Sequence, residues 1–508
     1  MIRTDALVIG GGLTALRCAE ILSEKYNTLV ISDGSGASPY IHGICIPLSD
    51  EDSVECFVED TLKSGRYQAD ETLVRTLCEG AQALTQDFDF DRRDDGSYDL
   101  LRPLGSSVAR VASVREHTGA FVMGKIRSQK RFEEKKLRAL RLLVKEGRVC
   151  GALCYDRETD SFVTISARCV CLATGGFGGI FPFSTNTSDI GGDGIAMAYL
   201  AGASLRDMEF IQYEPTAALS PESLLGKSVI TTMLYEGATF RNGRGEPFLH
   251  VERVDKDILS KAIYREILHG QTTENGGVYY DATAVPREVL MHKYKSYYER
   301  YRNAGVDITS EMMEVAPAPH TTLGGVVIDT KCHTTIRRLF AMGEVTGGLH
   351  GANRLGGNAG LETLVFGKIA GESAVAFLDA DNTPMPELTD VACKNQPCDC
   401  AQIHTRVRII AKNALGVIRN GENLSHAREE LLSLIETISP YLAEKGYYSF
   451  DAMRAYNDAL TILLAIESAL RRKSSLGAHE RDDAIDEEER YTIYLAKEKG
   501  LTKERLYE

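Results

Sequence analysis

Ala6-Leu7-Val8-Ile9-Gly10-Gly11-Gly12-Leu13-Thr14-Ala15 lies near the start of a chain of 508 residues. Four apolar residues in a row read as a buried strand, and the glycine run as a tight turn. Leu16, Ala19, Ile21 and Leu22 then recur at helical spacing. Thr28-Leu29-Val30-Ile31 is a second strand, which ends at Ser32-Asp33-Gly34. Strand, glycine turn, helix and strand together predict a Rossmann-like α/β domain that binds a dinucleotide. Gly10 permits the turn, Gly12 lets the backbone approach a pyrophosphate at the helix N-terminus, and Ala15 allows close strand–helix packing. Ser32 and Asp33 are both placed to accept hydrogen bonds from a ribose. The turn by itself does not separate NAD from FAD.

Outward from this unit, residues 50–90 have helical spacing through Val54, Phe57, Val58 and Leu62. Arg148–Cys154 and Phe162–Ile165 predict a hairpin, and Arg168–Ala173 a further strand ending at Thr174-Gly175-Gly176. Residues 216–320 are more polar and mixed in pattern, as an inserted domain would be. The segment 382–400 carries Pro384, Pro386 and Pro397 and reads as a linker. Two apolar helical stripes follow, Ile403-Val407-Ile410-Ala414-Val417 and Leu460-Leu463-Leu464-Ile466-Leu470, as in a helical bundle. The charged tail from Arg481 to Glu508 reads as a solvated face.

Composition narrows the function. With 58 basic and 72 acidic residues the net charge is −14, which argues against nucleic acid or an anionic membrane as partner. No apolar run approaches the ~20 residues of a membrane span. The N-terminal residues run straight into a strand, with no leader pattern, so the expectation is a cytoplasmic protein whose twelve cysteines are reduced. Cys393, Cys398, Cys400 and His404 have a spacing that fits no standard zinc or iron–sulfur site, so they read as linker residues and no metal is expected.

Three more segments give the fold a family likeness: Ala173-Thr174-Gly175-Gly176, Gly191-Gly192-Asp193-Gly194-Ile195-Ala196, and Gly343-Glu344-Val345 through Gly351-Ala352-Asn353-Arg354-Leu355-Gly356-Gly357-Asn358. Together they resemble the flavoprotein family of succinate dehydrogenase, fumarate reductase and aspartate oxidase, in length and layout most like the aspartate oxidases. The likeness covers nearly the whole chain, and Arg471-Arg472-Lys473-Ser474-Ser475-Leu476-Gly477-Ala478-His479 is similar to the family's C-terminal Arg/His pattern. It implies an FAD-binding domain from 1–215 and 321–385, an α+β capping domain at 216–320, and a helical domain at 400–508.

The likeness also implies FAD, with Gly10, Gly12 and Ala15 at the pyrophosphate and Ser32 at the ribose. Thr174, Gly175 and Asp193 would lie along the adenosine and pyrophosphate side, and Glu344 would meet the ribityl chain. Asn358 and Leu361 would begin the helix that faces the isoalloxazine. His42 stands at about the first glycine of the family's flavin loop, not at the attachment position, which implies non-covalent FAD with His42 near the ring.

On the substrate side, His320 and Arg354 match two of the family's carboxylate-binding residues. Two others differ. The family's Gln-Phe-His-Pro-Thr is Gln212-Tyr213-Glu214-Pro215-Thr216, and its Pro-Arg-Asp is Asp255-Lys256-Asp257. Thr232 stands where an acid is common. The resemblance therefore implies two-electron chemistry at a carbon beside a carboxylate, aspartate-oxidase-like or fumarate-reductase-like, on a small carboxylate-containing substrate. Fumarate, oxygen or a redox protein would accept the electrons. An ionised Glu214 would repel a second carboxylate by several kcal/mol, by rough estimate, and favour an amine or other donor there. The alternative is a flavin-bearing electron-transfer or binding subunit with a degenerate dicarboxylate site.

Overall fold

A computed structural model describes every residue except 116, 250–254, 392–393, 397, 440–441, 443–448, 487–489, 499 and 506–508. Its first strand, Ile2–Ile9, lies parallel to Thr28–Ile31 on one side and to Ser161–Leu172 on the other. Residues 6–9 of it are apolar on both faces because both are covered. Leu7 and Ile9 enter one core, shared with Ile195 and with Val407, Leu424 and Ile462 of the C-terminal helices. Ala6 and Val8 enter the other, shared with Leu13 and Leu16 of the first helix and Leu364 of the helix Asn358–Ala380. Such double burial is why a parallel strand reads as a continuous apolar run.

The sheet has seven strands in the order Glu133–Lys135, Thr28–Ile31, Ile2–Ile9, Ser161–Leu172, Arg148–Asp156, Arg138–Lys145, with Leu339–Ala341 also beside Ser161–Leu172. The second arm of the predicted hairpin and the strand after it are one twelve-residue strand, Ser161–Leu172. No turn residue interrupts Ile165-Ser166-Ala167-Arg168, so the chain stays extended and changes partner. Its first half pairs antiparallel with Arg148–Asp156, and its last three residues pair parallel with Leu339–Ala341.

The helical stretch at 50–90 is two helices, Val54–Ser64 and Glu71–Asp87, capped by Ser53 and Asp70. They are separated where Arg66 and Tyr67 take positive φ.

Between the two parts of this α/β unit lies a five-stranded antiparallel sheet with its own core of Phe240, Leu259, Ile263, Tyr280, Tyr294 and Val315. Its strands Ile211–Ala218 and Met313–Thr322 contain the positions where the insert was expected to begin and end. Helices Ala401–Ala414, Gly421–Ile438 and Phe450–Arg471 pack together at the C-terminal end.

Two expectations are corrected. The tail is not simply a solvated face: Tyr491–Ala496 and Gly500–Arg505 form a hairpin that joins Leu205–Arg206 and Gly325–Val326 in a four-stranded sheet. Tyr491, Ile493 and Leu495 alternate inward and are buried, a period of two that the surrounding charge hid. Nor are all the thiols reduced, since Cys398 and Cys400 are joined as a disulfide. His404 faces Asp458 at 3.5 Å, and Cys393 lies outside the described residues. Among the described residues no group of three or more potential ligands is arranged to hold a metal, and no helix is long and apolar enough to cross a membrane.

Candidate active site

A cavity of about 810 Å³ starts at the glycine turn and reaches the antiparallel sheet. It is bordered by Gly10, Gly12, Ser32, Asp33, His42, Thr174, Gly175, Asp193 and Glu344, and also by Glu214, Lys256, His320 and Arg354. Thirteen of the sixteen residues singled out from the sequence therefore meet in one space. Ala15 and Leu361 do not border it; both are fully buried in the core behind its wall. Neither side chain reaches the cavity; Ala15 packs between the first strand and its helix, as the turn requires. Asn358 is also buried, with its amide donating to Thr61 Oγ1 at 3.1 Å. The helix it begins still turns its N-terminus to the cavity through Gly356, Gly357, Ala359 and Gly360.

The turn leaves no room for side chains. A Cβ on Gly10, whose φ is +134°, would lie 2.1 Å from the carbonyl oxygen of Ala173. Close by, the hydroxyl of Thr174 is buried and has no partner among the described residues. A backbone cradle, an orphaned hydroxyl and a helix N-terminus around one cavity fit the diphosphate of a dinucleotide.

At this end the acids are more occupied than the sequence reading supposed. Asp193 accepts from Arg138 Nε at 2.8 Å and Asn457 Nδ2 at 2.7 Å. Burial works against its charge, but Arg138 and Arg454 hold it below the usual carboxylate range. Asp33 is paired with Arg138 and Arg157. Neither arginine was singled out, although a lone charge such as Arg138 entering an apolar strand signals a buried ion pair. Ser32 Oγ is bonded locally to Gly34 N–H, at 3.0 Å. His42 packs its ring against Tyr297, 5.6 Å between centroids.

At the other end, strand irregularities aim the chemical groups. Gln212 pairs with Thr321 and Tyr213 with Pro319, so His320 is an extra residue, bulged out of the ladder. A second shift follows Glu214. Lys256 is the first residue of the helix Lys256–Leu268. Arg66 pins that start by pairing with both neighbours, Asp255 and Asp257, each at 2.7 Å. Ser260 docks the helix on the strand through the Tyr213 carbonyl, at 3.2 Å.

These placements bring Lys256 Nζ into direct contact with Glu214 Oε2, in a pair whose carboxylate is almost fully buried. Glu214 Oε1 lies 3.1 Å from the hydroxyl of Thr216. His320 Nε2 is 3.8 Å from Glu214 Oε2, and its Nδ1 is 2.8 Å from Thr185 Oγ1. Burial, with Lys256 and Arg354 nearby, pushes His320 well below the ordinary histidine value, so its ring is neutral at physiological pH. Burial lowers Lys256 too, partly opposed by Glu214.

Arg354 is buried and donates to the Leu355 carbonyl at 3.2 Å and Thr321 Oγ1 at 3.4 Å. Its Nε has no partner among the described residues. Gln212 fixes it from behind, donating 2.9 Å bonds to its carbonyl and to Asn353 Oδ1. Glu344 accepts the Thr322 N–H at 3.0 Å, and burial raises it to about 7. Thr185 carries no signal in the sequence, and Thr216 and Thr321 enter it only as motif neighbours of Glu214 and His320.

Comparison with known proteins is consistent with this geometry. A family model described as an FAD binding domain matches residues 5–359. The chain belongs to this flavoprotein family. It is 34% identical to one of the subunits of the fumarate reductase (CoM/CoB) of Methanothermobacter marburgensis, over 94% of each chain. It is 32% identical to the L-aspartate oxidase of Pseudomonas aeruginosa, again over 94% of each. A variant of the E. coli quinol fumarate reductase FrdA has the same fold, with a TM-score of 0.87, 25% identity, and coverage of 99% of this chain and 96% of that one. The protein is thus an FAD-dependent oxidoreductase of the fumarate reductase and L-aspartate oxidase type.

Proposed function

We propose that the enzyme catalyses two-electron oxidation–reduction at a carbon adjacent to a carboxylate, with FAD held non-covalently. The observation that carries this reading is the meeting of Arg354, His320, Lys256 and Glu214 in the cavity that begins at Gly10. FAD, when bound, supplies the two-electron chemistry. Gly10, Gly12, Thr174 and Gly175 would hold its diphosphate, Ser32 or Asp33 its ribose, and Glu344 its ribityl chain.

The chain's own residues do the rest. Arg354 binds the substrate carboxylate through a planar fork that is already desolvated and fixed in place. His320, neutral and oriented by Thr185, adds a hydrogen bond to the same group. Lys256 carries the proton that must be gained or lost at the reacting carbon, and its depressed pKa eases release from Nζ. Glu214 keeps that ammonium aimed into the cavity. In the reductive direction, a carbon–carbon double bond takes up two electrons and two protons and becomes a single bond, one proton coming from Lys256. In the oxidative direction fumarate, oxygen or a redox protein accepts the two electrons; in the reductive direction a redox protein supplies them.

In this reading residues 1–215 and 321–385 form the FAD-binding unit, 216–320 a cap that excludes water from the reaction, and 400–508 a helical domain. The test is anaerobic. Saturated acids and amino acids are added to the oxidised enzyme, and α,β-unsaturated acids to the dithionite-reduced enzyme, while the oxidised-flavin absorbance is followed. At least one carboxylate should change it within seconds; a flavin indifferent to every carboxylate in both directions would refute the proposal.

A further inference from the structure

We infer that the substrate carries a single carboxylate, and that its far end, beside Glu214, Lys256 and Thr232, is uncharged and hydrogen-bonding. This rests on the function proposed above and narrows its substrate.

The argument is a count of charges around one space. Arg354 and Lys256 are the cations that face Glu214 and His320, and Lys256 is already in contact with Glu214. His320 is neutral. Among the described residues beside Glu214 and His320, that leaves the charge of Arg354 to meet a substrate anion. Arg102, Arg138, Lys227 and Arg300 also border the cavity, but the charges that act on Lys256 and His320 are those of Glu214, Arg354 and Lys256, and the other four are held by contacts of their own. Arg102 donates to the Ser106 carbonyl, Arg138 to Asp193, and Arg300 to the Ser228 carbonyl. Lys227 lies over the ring of Tyr40, 5.2 Å from its centroid.

A substrate carboxylate beside Glu214 would compete with it for Lys256, at short range and with little solvent screening.

What the same cavity offers instead is hydrogen bonding. Thr232 is nine-tenths buried and borders the cavity, and its hydroxyl has no partner among the described residues. Its backbone is held by the Tyr294 hydroxyl, which donates to its carbonyl at 3.1 Å. A buried hydroxyl left without a partner is costly unless a ligand satisfies it. An amide or hydroxyl at the far end of a monocarboxylate would do so.

Fumarate and its trans monoamide share length, shape and double bond, and differ by one charge. The FAD-loaded enzyme is reduced with dithionite and mixed anaerobically with each at equal, subsaturating concentration. The monoamide should restore the oxidised-flavin absorbance at least about tenfold faster. Fumarate as fast or faster would overturn the inference and leave the proposed function standing. If neither these nor any other carboxylate exchanges electrons with the flavin, the proposed function fails and the inference fails with it.

Calorimetry gives a readout without turnover. The oxidised, FAD-loaded enzyme should bind the monoamide of succinate about tenfold more tightly than succinate, and equal affinities would refute the charge count. Glu214→Gln should close that gap. Lys256→Gln, which leaves Glu214 unpaired and serves if the first variant does not fold, should widen it. A gap that moves with neither substitution would also overturn the inference.

Discussion

Replacing Arg354 by Ala removes the cation beside Glu214 and His320 that, among the described residues, is paired with no acid. The guanidinium is buried, and two bonds, at 3.2 and 3.4 Å, spend only part of its five donors. Its Nε is unmatched among the described residues and Gln212 holds its backbone, so the fork is positioned before any ligand arrives. A charge-assisted hydrogen bond is worth about 1.5–3 kcal/mol. Two to one carboxylate, with partial compensation by His320, correspond to a loss of ~2–5 kcal/mol on truncation. That is a fall in kcat/KM of about 30- to 5000-fold. Stopped-flow reoxidation of the reduced flavin by the best carboxylate measures it. The variant should keep its FAD and its fold, because among the described residues Arg354 has no buried acid bonded to it whose charge would be stranded. Arg354→Lys should recover only a small part, since an ammonium cannot form the planar fork. A folded, FAD-loaded Arg354→Ala enzyme with kcat/KM within about fivefold of the parent would refute the assignment.

Three further outcomes follow from the same geometry. Acid precipitation should release all the yellow colour into the supernatant, and colour retained in the pellet would mean a covalent flavin. Because Lys256 is depressed by burial, the ammonium needed for proton donation is lost as pH rises through a value below the ordinary lysine range. The reductive rate should fall there, and Lys256→Arg should move the fall upward; a rate that stays flat to the usual lysine value contradicts the role. Glu344 takes its proton more tightly when folded, at about 7 against the ordinary 4.5. FAD-free protein should therefore be most favoured below the unfolded value and lose ~1–3 kcal/mol as pH climbs from 4.5 to about 7. Urea melts at about pH 5 and about pH 8 should show that loss in the parent and not in Glu344→Gln.

Local rules made the FAD end legible. A glycine at φ +134° against a carbonyl is demanded by the turn itself, and the motif Gly10-x-Gly12 announces it within three residues. Strand Ile2–Ile9 and its parallel partners follow from apolar runs that could only be buried on both faces. What the sequence did not disclose depends on pairing across distance. Ser161–Leu172 looks like two strands because its neighbour changes midway, and neither neighbour is visible from within it. The C-terminal hairpin was masked by charge, although Tyr491, Ile493 and Leu495 alternate as a half-buried strand should.

The site shows the same limit with a chemical consequence. Read alone, Glu214 is an anion where the family has a histidine, and it implies attraction for a substrate amine. Lys256, 42 residues later, removes that implication by contact. Neither residue predicts the other: one sits beside a bulge in a strand and the other at the first turn of a helix that Arg66 fixes from outside. Once paired, they are close to neutral together, so an amine would have to displace Lys256 to reach Glu214. The sense of the substitution changes accordingly. The acid does not call for a cation; with its lysine it withdraws one positive charge from the end of the site where a second substrate carboxylate would lie. Arg354 is left to bind alone, which is why the amide and not the amine is the informative partner for this enzyme.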